Sequence, residues 1–126
     1  MSNLQPPFDT FRLEKHAGEY KDFELSDNDP YPLKGVTYPS DYGDIEGYIG
    51  EDGANLDFFV GSNGTNYGFI RVYRPELENG EHKFYVGLTD EQVEGIKNEF
   101  EPVLIEHVVL DSVQDLLHAI RPFQKN

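Results

Sequence analysis

A chain of 126 residues with 24 acidic and 10 basic side chains carries a net charge of −14, a field that repels phosphate backbones over roughly 8 Å at physiological salt and excludes nucleic acid as a partner. The length suits one domain, residues 1–126, and nine Phe with eight Tyr exceed what an acidic disordered chain carries. The lack of cysteine excludes disulfides and thiolate chemistry, no apolar run reaches ~20 residues, and MSNLQPP has no signal-peptide pattern, so a cytoplasmic protein with no membrane partner is expected.

Residues 1–30 are polar with scattered aromatics, and only Tyr20 to Leu25 reads as a short strand, followed by a loop from Asp27 to Pro32. From Gly35 onward, short strands alternate with glycine-rich turns. Alternation along Leu56 to Val60 puts Leu56, Phe58 and Val60 on one face and Asp57 and Phe59 on the other, so Asp57 should point towards a site or a turn. Ser62 to Asn66 is a turn cluster; the strand Gly68 to Tyr73 follows, and Asn79-Gly80 is the hairpin signal before a return strand, Glu81 to Gly87.

Thr89-Asp-Glu-Gln92 forms a capping-box pattern, after which Val93, Ile96 and Phe100 recur at helical spacing until Pro102. Val103 to Leu110, rich in β-branched residues, reads as a buried strand. Asp111-Ser-Val-Gln114 then opens a helix carrying Val113, Leu116, Leu117 and Ile120, which Pro122 stops. Strands followed by helices without regular β-α alternation predict an α+β domain.

The chemistry concentrates between Tyr38 and Val60, where carboxylates and tyrosines crowd a glycine-broken backbone. Grouped carboxylates of this kind hold magnesium. Tyr38, Pro39, Tyr42, Gly43 and Ile45, followed by Asp52, Gly53, Ala54, Asn55, Leu56 and Asp57, make this stretch resemble the soluble inorganic pyrophosphatases. Those proteins carry Tyr-Pro-x-x-Tyr-Gly-x-Ile and then Asp-Gly-Asp-Pro-hydrophobic-Asp. The resemblance extends over about Tyr31 to Gly87 and takes in Glu81 and Lys83 as an acid-x-lysine pair.

The resemblance implies a small five-stranded OB-like barrel with flanking helices, and Mg2+-dependent hydrolysis of pyrophosphate or a related diphosphate. It casts Asp52 and Asp57 as catalytic metal ligands, Glu81 as a third metal ligand, and Tyr42 and Lys83 as phosphate contacts. Lys34 stands in for an arginine expected before Tyr38, and Glu76 to Glu78 falls near a further metal-binding aspartate of the family. Ala54 replaces the middle aspartate, which binds metal and helps deprotonate the attacking water. Loss of a general base costs ~10²–10⁴ in rate, so the implied hydrolysis is weak.

Each of these residues also has a plainer reading. An Asp-Gly turn and a strand-end carboxylate are ordinary in an acidic protein, Tyr38, Tyr42 and Tyr48 suit packing with wet hydroxyls, and Glu81 with Lys83 suits a solvated strand face. The four histidines lack metal-ligand spacing, and Gly61 to Gly64 lacks the Lys and Ser/Thr of a phosphate-binding loop. The alternative function is a catalytically silent pyrophosphatase-like protein whose acidic surface steers it onto a basic protein, as an immunity protein would neutralise a toxin. Homo-oligomer formation stays open on the sequence.

Overall fold

Period-two alternation organises the fold around β5 (Asn55–Val60), whose Leu56, Phe58 and Val60 face one way and Asn55, Asp57 and Phe59 the other. The structure, a computed structural model, describes residues 5–125. In it β5 pairs antiparallel with β4 (Asp41–Ile49) and parallel with β7 (Leu77–Leu88). Beyond β7 lie β6 (Asn66–Arg74) and then β8 (Leu104–Leu110), and beyond β4 lies β1 (Arg12–Lys15), giving the order β1-β4-β5-β7-β6-β8. A separate antiparallel pair joins β2 (Tyr20–Asp22) to β3 (Gly35–Thr37).

The domain is therefore α+β, but its main sheet is open and the expected closed barrel is not formed. Strands β1 and β8 stand at opposite edges. Each face of the sheet has its own cover, so the fold buries apolar surface without closing on itself. On one face Tyr42, Phe59, Ile70, Val72 and Tyr85 pack with Val93 and Ile96 of α1 (Asp90–Glu99), with Phe100, and with Leu33, Val36 and Tyr38. On the other, Ile45, Leu56, Phe58, Val60, Phe84 and Val86 pack with Leu116 and Ile120 of α2 (Val113–Ile120) and with Phe8. Full burial of a side chain such as Phe58 or Leu116 contributes about 1.5–3 kcal/mol.

The helix signals are realised as expected. Thr89 and Gln92 exchange both capping-box hydrogen bonds, and the Ser112 hydroxyl accepts from the Asp115 backbone N–H. Pro122 sits in a short 3-10 turn, Arg121–Phe123, that ends α2. Among the described residues no helix is long and apolar enough to cross a membrane.

Three strand expectations are corrected. The β6–β7 ladder pairs Val72 with Glu81 and then Arg74 with Leu77, so the reversal is at Pro75-Glu76 and Asn79-Gly80 is a bulge within β7. Strand β8 is an edge strand with exposed Ile105 and Val109, not a buried one. Before residue 30, β1 exists although its sequence Arg-Leu-Glu-Lys gives no strand signal, and β2 is shorter than Tyr20 to Leu25.

Candidate functional site

The α1 side of the sheet changes character along its strands. Its apolar half packs under the helix, while Tyr42 and Asp44 of β4, Asn55 and Asp57 of β5, Glu81 and Lys83 of β7 and Arg74 of β6 line a cleft of about 980 Å³. The period of two brings these pairs there, since residues i and i+2 of a strand share a face. Arg12 and Glu14 of β1, Lys21 and Asp22 of β2, and the turn residues Asp52 and Ala54 complete much of the rim.

At the centre is Lys83, only 9% exposed. Its Nζ donates to the Tyr42 hydroxyl at 2.7 Å and to Asp57 Oδ2 at 3.0 Å, and lies 3.4 Å from Glu81 Oε1. Glu81 accepts from Arg74 Nη1 at 2.9 Å, and the other arm of that guanidinium meets Glu76 at 2.6 Å. Opposite charges thus alternate from Asp57 through Lys83, Glu81 and Arg74 to Glu76. Tyr42 is fixed from behind by stacking on Tyr38, with ring centroids 4.7 Å apart, and by contact with Phe59.

Burial works against the Lys83 ammonium, but Tyr42, Asp57 and Glu81 outweigh it and hold the group well above the ordinary lysine range. Burial also pushes the Tyr42 phenol well above its ordinary value, with Lys83 opposing. For Glu81 burial is again the largest cause and raises the carboxyl, again against Lys83. The cleft floor is a charged ammonium held by a neutral phenol and two carboxyl groups.

A second arm centres on Asp44, which lies directly opposite Asp57 in the β4–β5 ladder. Like charges in that position are destabilising. The cost is offset by the Arg12 fork, which donates to Asp44 at 3.0 and 3.2 Å, and by Asn55 Nδ2 at 3.3 Å, while Lys83 serves Asp57. Asp52 sits in the turn between β4 and β5, where its Oδ1 accepts from the Ala54 backbone N–H at 3.0 Å. That turn is clasped to β7 by Glu51, which bonds both the backbone N–H and the ring of His82.

Of the residues singled out in the sequence, Tyr42, Asp52, Asp57, Glu81 and Lys83 line this one cleft. Lys34 is outside its lining and spends its ammonium on the Asp29 carbonyl at 2.8 Å. Glu76 lines the cleft, whereas Glu78 does not. Sequence reasoning missed Arg12, Asp44 and Arg74. Asp44 carried a usable signal, being two residues beyond Tyr42 on the same strand face.

The oxygen donors of Asp52, Asp57 and Glu81 are of the hard type that suits magnesium, and the Lys83 ammonium shows a cation resting where Asp57 and Glu81 converge. Among the described residues no three His, Asp or Glu side chains are already grouped to hold a metal ion; in this arrangement the carboxylates serve Lys83 and Arg74. No protein-family model, curated protein or solved structure matches this chain.

Proposed function

We propose that the cleft takes up a magnesium complex of inorganic diphosphate, or of a related diphosphate, and hydrolyses it slowly. The supporting observation is the meeting of Tyr42, Asp52, Asp57, Glu81 and Lys83, from three strands and a turn, in one cleft. Asp52, Asp57 and Glu81 would hold the ion, which when bound supplies charge neutralisation and a polarised water. Lys83 and Arg74 bring the ammonium and the guanidinium fork that suit phosphoryl oxygens. Tyr42 keeps Lys83 in place through its hydroxyl. At Ala54 a methyl group stands where the resemblance calls for a carboxylate, and turnover is slow for that reason.

The test is phosphate release from magnesium pyrophosphate by the pure protein, with Asp57→Asn alongside to exclude a contaminating enzyme. Release that the substitution abolishes is expected. No release, or equal release from both proteins, overturns the reading.

One observation favours a second reading, an acidic module that binds a basic protein. Carboxylates outnumber basic groups around the cleft, and Lys83, Arg74 and Arg12 are already paired within it. On this reading a synthetic arginine-rich peptide binds, binding weakens with salt, and Asp57→Asn leaves it in place. Binding unaffected by salt would count against it.

A further inference from the structure

Strand β8 has a strand neighbour on one side only. Its ladder runs to β6 at the end of the main sheet, so alternate N–H and C=O groups along Leu104–Leu110 point away from the sheet. Edges of this kind are usually blunted by proline, lysine or another free charge. The run Leu-Ile-Glu-His-Val-Val-Leu has no proline and no lysine, and its one carboxylate, Glu106, is engaged by Arg71 of β6 at 3.2 Å. On the opposite face of the strand Ile105 and Val109 flank His107 and are 47% and 60% exposed. A chain of net charge −14 thus presents an edge whose only acid is neutralised and whose exposed side chains are apolar.

We propose that a second copy of this chain docks on this edge, its β8 antiparallel to the first about a two-fold axis at His107, so that two sheets become one. The strand is self-complementary in that register. Pairing centred on His107 engages all seven residues and sets Ile105 opposite Val109 of the other copy and Leu104 opposite Leu110 of the other copy. Centring on Glu106 would set two carboxylates face to face, and centring on Val108 would set Ile105 against Asp111. At the axis two His107 rings meet, and burial keeps each below the ordinary histidine pKa, so both are neutral at pH 7. Charge selects the occupant. A basic protein finds no unpaired carboxylate on β8, whereas a second acidic copy, repelled from most of the surface, is not repelled here. Two-fold pairing also closes the contact, since each copy covers the edge of the other. No residue of β8 lines the cleft, so the inference is independent of what the cleft binds.

The experiment measures the mass of the full chain by light scattering and sedimentation over a range of protein and salt concentrations, beside Val109→Lys and Leu13→Lys. Leu13 is likewise exposed but lies on the opposite edge strand, β1. The wild-type mass is expected to rise to twice that of the monomer and no further, and to do so at lower protein concentration as salt screens the repulsion between copies. Val109→Lys should stay monomeric and Leu13→Lys should dimerise. Val109 is exposed in the single chain, so its lysine variant should fold, which its circular dichroism spectrum checks. The register is read separately, because the chain has no cysteine of its own. Ile105→Cys mixed with Val109→Cys should give a disulfide-linked dimer. Either variant alone should not, since its two thiols would lie roughly 14 Å apart, beyond the reach of a disulfide. The proposal is overturned by a wild-type chain that stays monomeric, a mass that grows past the dimer, or a dimer that salt dissolves. A dimer kept by Val109→Lys or lost in Leu13→Lys, or cysteine variants that link no better mixed than alone, overturns it equally.

Discussion

The Lys83 ammonium and the Tyr42 hydroxyl, two strands apart in the sheet, are joined by a 2.7 Å hydrogen bond that ties β7 to β4 across β5. With Asp57 on the intervening strand, this bond makes a single polar unit of three strands beside the apolar half of the same face. Packing alone would place these strands side by side.

Removing that ammonium should be costly. Lys83→Met leaves Asp57 facing Glu81 with no cation between them, and breaking a buried ion pair from one side typically costs ~3–5 kcal/mol. Arg74 still serves Glu81, so a loss near the lower end of that range is expected in urea unfolding. Adding Asp57→Asn and Glu81→Gln to Lys83→Met should restore much of the stability, because no buried charge is then left unpaired. An unchanged unfolding midpoint in Lys83→Met would falsify the role given to the ammonium.

The bulge in β7 gives a sharper contrast. Gly80 has φ of +76° and a Cβ there would lie 2.5 Å from the Val72 carbonyl oxygen, whereas Gly53 has φ of +85° with open space around it. Gly53→Ala should therefore cost only the backbone penalty, ~1–2 kcal/mol. Gly80→Ala should cost clearly more, since the β6–β7 ladder must also shift. Comparison of their melting temperatures tests this, and equal costs would mean that the bulge yields without strain.

That bulge also marks a limit of local sequence signals. Asn-Gly announces a backbone with positive φ, which a hairpin turn and a bulge both need, so the pair could not say which it forms. In the same way, the apolar run of β8 looks alike in a buried strand and in an edge strand; only the sheet order distinguishes them. The cleft was legible where its residues repeat at two-residue spacing, as in Glu81 with Lys83. It was illegible where its parts are far apart in the chain. Arg12 and Asp44 meet only because β1 pairs with β4, and nothing in Arg-Leu-Glu-Lys predicts that pairing. Lys34 is the opposite case, a plausible position in the chain whose ammonium is bonded to the Asp29 carbonyl.

On the β8 side of the sheet, Tyr85 and His107 meet at 2.8 Å between the phenolic oxygen and Nε2. Burial holds the His107 ring below its ordinary pKa; Lys97 adds to this and Glu94 opposes it. A group whose folded pKa is depressed contributes stability that is present above its unfolded value, near 6.5, and is lost as pH falls through the folded value. A protonated ring also has no lone pair with which to accept from the Tyr85 hydroxyl. The wild-type melting temperature should thus fall more steeply than that of His107→Gln between pH 7 and pH 5. Parallel profiles would remove His107 from the acid response.

The alkaline limb should report the buried tyrosines. Burial pushes Tyr38 and Tyr85 up to about 12 and Tyr42 well above the ordinary value. In the unfolded chain all tyrosines ionise near pH 10. A raised folded value means that the native state keeps protons which the unfolded state has lost, so the contribution is complete below about pH 10 and declines as pH rises from there to about 12. Stability should fall through that window, with Tyr38 and Tyr85 each contributing to the loss. Ionisation followed by absorbance near ~295 nm should then show a normal phase and a delayed phase that coincides with unfolding. Tyr38→Phe should shrink the delayed phase while leaving the Lys83–Tyr42 bond in place, because Tyr38 contributes to the site through its ring stacked on Tyr42. Loss of amplitude from the normal phase instead would mean that the Tyr38 hydroxyl is reached by solvent in the folded protein.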